Sequence, residues 1–202
     1  MSIPNSLTAL RILLTPVFVI LLFNEDSFWK QIALLVYIVA ALTDWYDGWV
    51  ARKYGYISRW GQFFDPLADK ILSLAALFSF AYLNLIDVWM VWIIVVRDIS
   101  ITSLRSYAEW TDRPIVTSQS AQAKTFGEYI VIYYILVLYV AGSVSFIKQD
   151  FRSLLDSLMH PQVLFGMLLL VTISTIGTGI MYLFDNRKLL QELYVRYFSN
   201  SE

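Results

Sequence analysis

Six long apolar runs, each closed off by a short polar segment, organise the chain: Leu7–Phe23, Trp29–Ala51, Phe63–Leu83, Val88–Ala108, Phe126–Phe146 and Pro161–Phe184. About 20 apolar residues at a rise of ~1.5 Å cross a bilayer core of roughly 30 Å, so each run predicts a membrane-spanning helix. The predicted fold class is all-α and integral to the membrane, with six transmembrane helices and short N-terminal and C-terminal surface segments. No run repeats another and no low-complexity tract intervenes, so residues 1–202 read as a single membrane domain. The first run contains Arg11 and ends at Asn24-Glu25-Asp26 without a small-residue cleavage site, which predicts a retained span. Beyond the sixth run, Leu189, Leu190, Leu193 and Tyr197 recur at helical spacing among charges. That pattern suits a segment lying on the membrane surface or against a second subunit.

Composition strengthens the membrane assignment: 58% of the 202 residues are hydrophobic, well above the ~45–50% of a soluble domain. Cysteine is absent and His160 is the single histidine, which removes disulfides, thiolate nucleophiles and Cys/His zinc sites. A net charge of −1 gives no reason to expect nucleic acid as a partner. The distribution of charge says more. Arg52, Lys53, Arg59, Arg105, Arg113, Lys124, Arg187, Lys188 and Arg196 fall on one side of the six-run topology, against Lys30, Lys148 and Arg152 on the other. By the positive-inside rule both termini are cytoplasmic, in a multi-pass cell (inner) membrane. Trp29, Trp89 and Trp92 are then expected near the outer interface.

Four aspartates interrupt this apolar background: Asp44, Asp47, Asp65 and Asp69. A carboxylate at a membrane centre costs about 2.5–3.5 kcal/mol on insertion scales, so four approach ~10 kcal/mol and demand compensation by positive charge. Asp44 and Asp47 are three apart and Asp65 and Asp69 four apart, so each pair shares a helix face. Gly48 and Ala51 continue the first face almost without side chain, and Ala68 keeps the second open. Gly55, Ser58 and Gly61 mark a tight turn that sets the two faces against each other. Carboxylate oxygens without imidazole or thiolate select hard cations such as Mg2+ or Mn2+. Four of them suffice for two ions about 3.5–4 Å apart, an arrangement that clamps the attacking and leaving oxygens of a phosphoryl transfer. Salt bridges to Arg52, Arg59 and Lys70 are the purely structural alternative. A cation-transport site is another, but transporters place such groups on discontinuous, repeat-related helices that this chain lacks.

The run Asp44, Asp47, Gly48, Ala51, Arg52, then Gly61, Asp65, Asp69 resembles, position for position, the signature D-x-x-D-G-x-x-A-R…G-x-x-x-D-x-x-x-D of the CDP-alcohol phosphotransferases. The resemblance implies a six-helix, dimeric membrane enzyme with a cytoplasmic active site that displaces CMP from a CDP-linked lipid. It implies metal binding by Asp44, Asp47, Asp65 and Asp69, with Asp69 also the base. It implies nucleotide contacts from Asp44, Gly48, Ala51, Arg52 and Gly61.

Pro4-Asn5-Ser6-Leu7-Thr8 with Arg11 and Pro16, then Arg97-Asp98-Ile99, Leu104-Arg105 and Lys124-Thr125, resemble the phosphatidylglycerophosphate synthase subgroup. That subgroup implies CDP-diacylglycerol as donor and glycerol 3-phosphate as acceptor. An acceptor carrying its own dianion needs a basic pocket apart from the acidic site. Arg105, Lys124, Arg11 and Arg97 are the expected cations, with Thr8 and Asn5 as further phosphate contacts. The subgroup's usual G-K-x-K-T reads Ala121-Gln122-Ala123-Lys124-Thr125 here, so a cardiolipin synthase using phosphatidylglycerol as acceptor is the alternative within the family.

Overall fold

The computed structural model describes the backbone of residues 3–54, 59–110 and 119–187, and the side chains of residues 9–43, 46, 70–108 and 122–187. The helices of this part are α1 (Ile3–Leu22), α2 (Ser27–Tyr54), α3 (Arg59–Tyr82), α4 (Val88–Trp110), α5 (Gln119–Ser143), α6 (Ser145–Asp150), α7 (Arg152–Leu158) and α8 (Pro161–Asp185). Each of the six apolar runs falls on one long helix. The turn expected at Gly55 and Ser58, the loop around Arg113 and the amphipathic tail beyond Arg187 lie outside the described residues.

The helix ends follow from local chemistry. Helix α1 starts at Ile3, earlier than its apolar run, because Pro4 sits in the first turn where its missing N–H is one the helix would leave unpaired. Pro16 lies inside α1 and breaks the backbone ladder, and the Thr15 hydroxyl donates to the Arg11 carbonyl at 2.9 Å beside that break. Helix α3 closes with a left-handed Asn84 (φ 56°), the Asn84 N–H donating to Ala81 O and the Leu85 N–H to Phe80 O. This is a Schellman turn with asparagine in the usual glycine position, and Leu85 packs back on the core. His160, the single histidine, caps α8, its Nδ1 accepting from the Gln162 N–H ahead of Pro161.

One connection differs from expectation. The fifth run was drawn to Phe146, yet α5 ends at Ser143, whose hydroxyl donates to Val140 O at 2.6 Å. Two short helices, α6 and α7, then occupy what sequence reads as a plain outer loop. The Tyr134 hydroxyl ties them to α5 by donating to Leu158 O at 2.8 Å. Helices of six and seven residues are too short to register as a periodic pattern.

Helix α1 packs chiefly on α2 and also on α3; α3 packs on α4, and α8 closes against α4 and α5. The core between them is apolar and aromatic, with Phe18, Tyr37, Leu77, Phe80, Met90 and Ile135 fully buried. The outer faces are equally apolar: Leu13, Ile20, Leu170 and Phe184 are each about two-thirds exposed. An apolar exterior this extensive belongs against lipid. Among the described residues, two stretches are long and apolar enough to cross a bilayer, Gln122–Ser143 and the stretch within Arg152–Asp185 that contains α8. Trp29, Trp89 and Trp92 are half-exposed at the starts of α2 and α4.

Candidate active site

Asp44 and Asp47 lie in the C-terminal third of α2, and Asp65 and Asp69 in the N-terminal half of α3. Four residues, 55–58, join the two helices, so at about 3.6 Å per residue the acidic turns share one end of the molecule. Helix α1 bears on both α2 and α3. The side chains of Asn5, Thr8, Asp44, Asp47, Gly48, Ala51, Arg52, Gly61, Asp65 and Asp69 lie outside the described residues, and helix register alone places them. Among the described residues no group of three His, Cys, Asp or Glu could hold a metal ion. An all-oxygen set of four carboxylates on one hairpin fits a hard divalent cation and does not fit zinc or copper.

One residue beyond Asp69, Lys70 points the site toward α4. Its Nζ donates to Asp98 Oδ2 at 2.7 Å. Asp98 Oδ1 accepts from Arg97 Nη1 at 3.0 Å and from Lys124 Nζ at 2.8 Å. Lys124 Nζ also donates to Glu128 Oε2, one helical turn on, at 2.6 Å. Four helices meet in this network, because Arg97 Nη2 reaches Thr178 Oγ1 of α8 at 3.0 Å. Gly179 makes that reach possible: a Cβ there would stand 3.2 Å from Arg97 Cγ. Gly179→Ala is therefore expected to displace the Arg97 stem at a cost of ~1 kcal/mol, read as a fall of a few degrees in the thermal midpoint in detergent.

Beside the network opens a cavity of about 430 Å3 whose wall includes Lys70, Arg97, Arg105, Gln122, Thr125 and Tyr182. Its residues come from register stripes: Arg97, Ile101 and Arg105 on α4, and Gln122, Phe126 and Tyr129 on α5. Among the described residues three cations line it and no carboxylate does, since Asp98 and Glu128 are buried. The arrangement suits a phosphate-bearing small molecule, with planar guanidinium forks matching phosphate oxygens.

The sequence-derived cations divide accordingly. Arg97 and Arg105 stand on the cavity wall. Lys124, expected among the phosphate ligands, has no exposed side-chain surface, and its Nζ is enclosed between Asp98 and Glu128. Arg11 is buried on α1, 2% exposed. Sequence reading assigned no site role to Lys70, Asp98 and Glu128, although a signal existed: ionisable residues within apolar spans are functional candidates by default.

A family model described as CDP-alcohol phosphatidyltransferase matches residues 1–173. The chain belongs to this family. Similar proteins named CDP-diacylglycerol–glycerol-3-phosphate 3-phosphatidyltransferase include that of Bacillus subtilis, 31% identical over 65% of this chain and 74% of its own length. Those of Rickettsia typhi (30%; 70% and 79%) and Salmonella typhimurium (30%; 67% and 76%) are comparable. The family match takes in the acidic hairpin, the Asp98 network and most of the basic cavity. Tyr182, on the last turns of α8, completes the cavity from beyond the matched range, and Thr178 holds Arg97 there.

Proposed function

We propose that this phosphatidyltransferase moves the phosphatidyl group of CDP-diacylglycerol to sn-glycerol 3-phosphate, releasing CMP and forming phosphatidylglycerophosphate. What supports the reading is a cationic cavity with no carboxylate among its described lining residues, reached through Lys70, which directly follows Asp69 of the acidic motif on α3. The similar bacterial enzymes are named for this reaction.

In this reading Asp69 takes the proton from the acceptor's primary hydroxyl. The oxygen attacks the phosphorus nearest the diacylglycerol, and the bond from that phosphorus to the CMP oxygen breaks. Asp44, Asp47, Asp65 and Asp69 would hold divalent cations, Mg2+ or Mn2+, which when bound neutralise the diphosphate and the charge developing on CMP. Gly48, Ala51 and Gly61 leave room for the cytidine diphosphate, and Arg52 adds a cation to it. Lys70, Arg97 and Arg105 hold the acceptor's phosphate away from the acidic hairpin, which fixes the hydroxyl in line for attack. Asn5, Thr8 and Arg11 on α1 border the same end. Lys124 backs the cavity wall.

The protein is one domain of six spans with both termini and the hairpin on the cytoplasmic side. It works as a homodimer in a multi-pass inner-membrane setting, its lipid substrate entering sideways from the bilayer. The lopsided distribution of Lys and Arg and the apolar outer faces support this placement.

Purified protein given labelled CDP-diacylglycerol and a panel of acceptors tests the function. CMP release with glycerol 3-phosphate is the expected outcome; release with phosphatidylglycerol alone would make the enzyme a cardiolipin synthase. Arg105→Ala should raise the KM for glycerol 3-phosphate about tenfold or more with little change in the KM for CDP-diacylglycerol, as expected for losing one charge-assisted phosphate contact. Unchanged acceptor kinetics would remove Arg105 from the pocket.

A further inference from the structure

We infer that Asp98 is a positioning residue that sets acceptor selectivity: its carboxylate holds Lys70 and Arg97 together on the cavity wall as one phosphate-receiving pair. The inference rests on the reading of that cavity as the acceptor site. Lys70 bonds one carboxylate oxygen at 2.7 Å and Arg97 the other at 3.0 Å. Two cations side by side repel, and the repulsion is strong where water is scarce. A carboxylate shared between them offsets it. Their side chains keep 15% and 13% exposure, both into the cavity, whereas Asp98 keeps none. The acid that gathers the cations is thus itself hidden from an arriving dianion.

The network also fixes Asp98 from behind. Lys124 Nζ bonds the oxygen that Arg97 uses, at 2.8 Å, and is held in turn by Glu128 at 2.6 Å. Three cations face two carboxylates across the five residues, so the cluster keeps positive charge after its internal pairing. Lysine offers three N–H donors and arginine five, so Lys70 and Arg97 retain donors for phosphate after bonding Asp98. An acceptor without phosphate would leave this pair without its partner, and a site built to receive a charged group discriminates against ligands lacking it. Asp98 touches no substrate and acts through the two cations.

The test measures CMP release by the full-length protein, varying glycerol 3-phosphate and CDP-diacylglycerol separately, with glycerol as the phosphate-free competitor. Asp98→Asn is expected to raise the acceptor KM about ten- to hundredfold, the usual cost of losing a supporting contact, while the CDP-diacylglycerol KM stays within about twofold. The preference for glycerol 3-phosphate over glycerol should fall in step, and Asp98→Glu should restore most of both. Should Asp98→Asn fail to fold, Asp98→Asn with Lys124→Gln and Glu128→Gln removes the buried cation together with both of its carboxylates and is expected to show the same acceptor-specific loss. The inference is overturned if both KM values move together, if only kcat falls, or if the glutamate variant gives no rescue. Wild-type protein that uses glycerol 3-phosphate alongside an Asp98→Asn variant with unchanged acceptor KM sinks this inference alone. Wild-type protein that turns over only a phosphate-free acceptor sinks the proposed function with it.

Discussion

Asp44→Asn and Asp65→Asn are each expected to lower CMP release by at least ~10^3-fold, since losing a charged ligand from a divalent-cation site forfeits several kcal/mol of transition-state stabilisation. Asparagine keeps the size and one oxygen but loses the negative charge that a hard cation requires. Both variants should remain folded, because removing one of four like charges near the joined ends of α2 and α3 relieves repulsion in the metal-free protein. Size-exclusion profiles in detergent check the folding, and divalent-ion titrations of turnover check the cause. Asp69→Asn should behave differently, with kcat down by ~10^2–10^4-fold for a lost general base and lipid-nucleotide affinity largely kept. Full turnover in Asp65→Asn would remove the acidic hairpin from the chemistry, and full turnover in Asp69→Asn would remove the base.

The second large effect is on stability. Lys124→Leu is expected to destabilise the protein by about 3–5 kcal/mol, the cost of breaking a buried charge pair from one side. Lys124 has no exposed side-chain surface and hydrogen-bonds both Asp98 and Glu128. Its loss leaves Glu128 with only a 4.0 Å approach from Lys70 among the described residues. For a chain this size, the thermal midpoint in detergent should drop by roughly 10 °C. Lys124→Leu combined with Glu128→Leu removes both partners and should recover much of the loss, since apolar replacement of a buried pair is often neutral. A single variant as stable as wild type would show that the buried carboxylates are neutral or otherwise compensated.

The sequence carried far where information is local. Among the described residues, run length and polarity locate the long helices, because a long continuous apolar stretch marks such a helix wherever it sits in the fold. The exceptions are informative. The α6 and α7 helices are too short for periodicity to show, and α5 stops at Ser143 because a side-chain hydroxyl takes up a backbone carbonyl at the end of the run. The proposed oxygen-only donor set is likewise local in origin, since spacings of three and four residues put acids on one helix face without reference to anything else.

The fate of each cation was a different matter. Arg97, Arg105 and Lys124 look alike as sequence: single basic residues near polar ends of apolar runs. Packing separates them. Lys124 is consumed by two carboxylates, whereas Arg97 and Arg105 face a cavity together with Lys70. The partners that decide this lie 26, 28 and 81 residues away along the chain. Sequence alone therefore determined where the long helices lie and which helix turns carry the four aspartates. Only the packing of α3, α4, α5 and α8 decided which positive charges stay open to a ligand, because a buried carboxylate must be compensated by whichever cation the neighbouring helices bring within bonding distance.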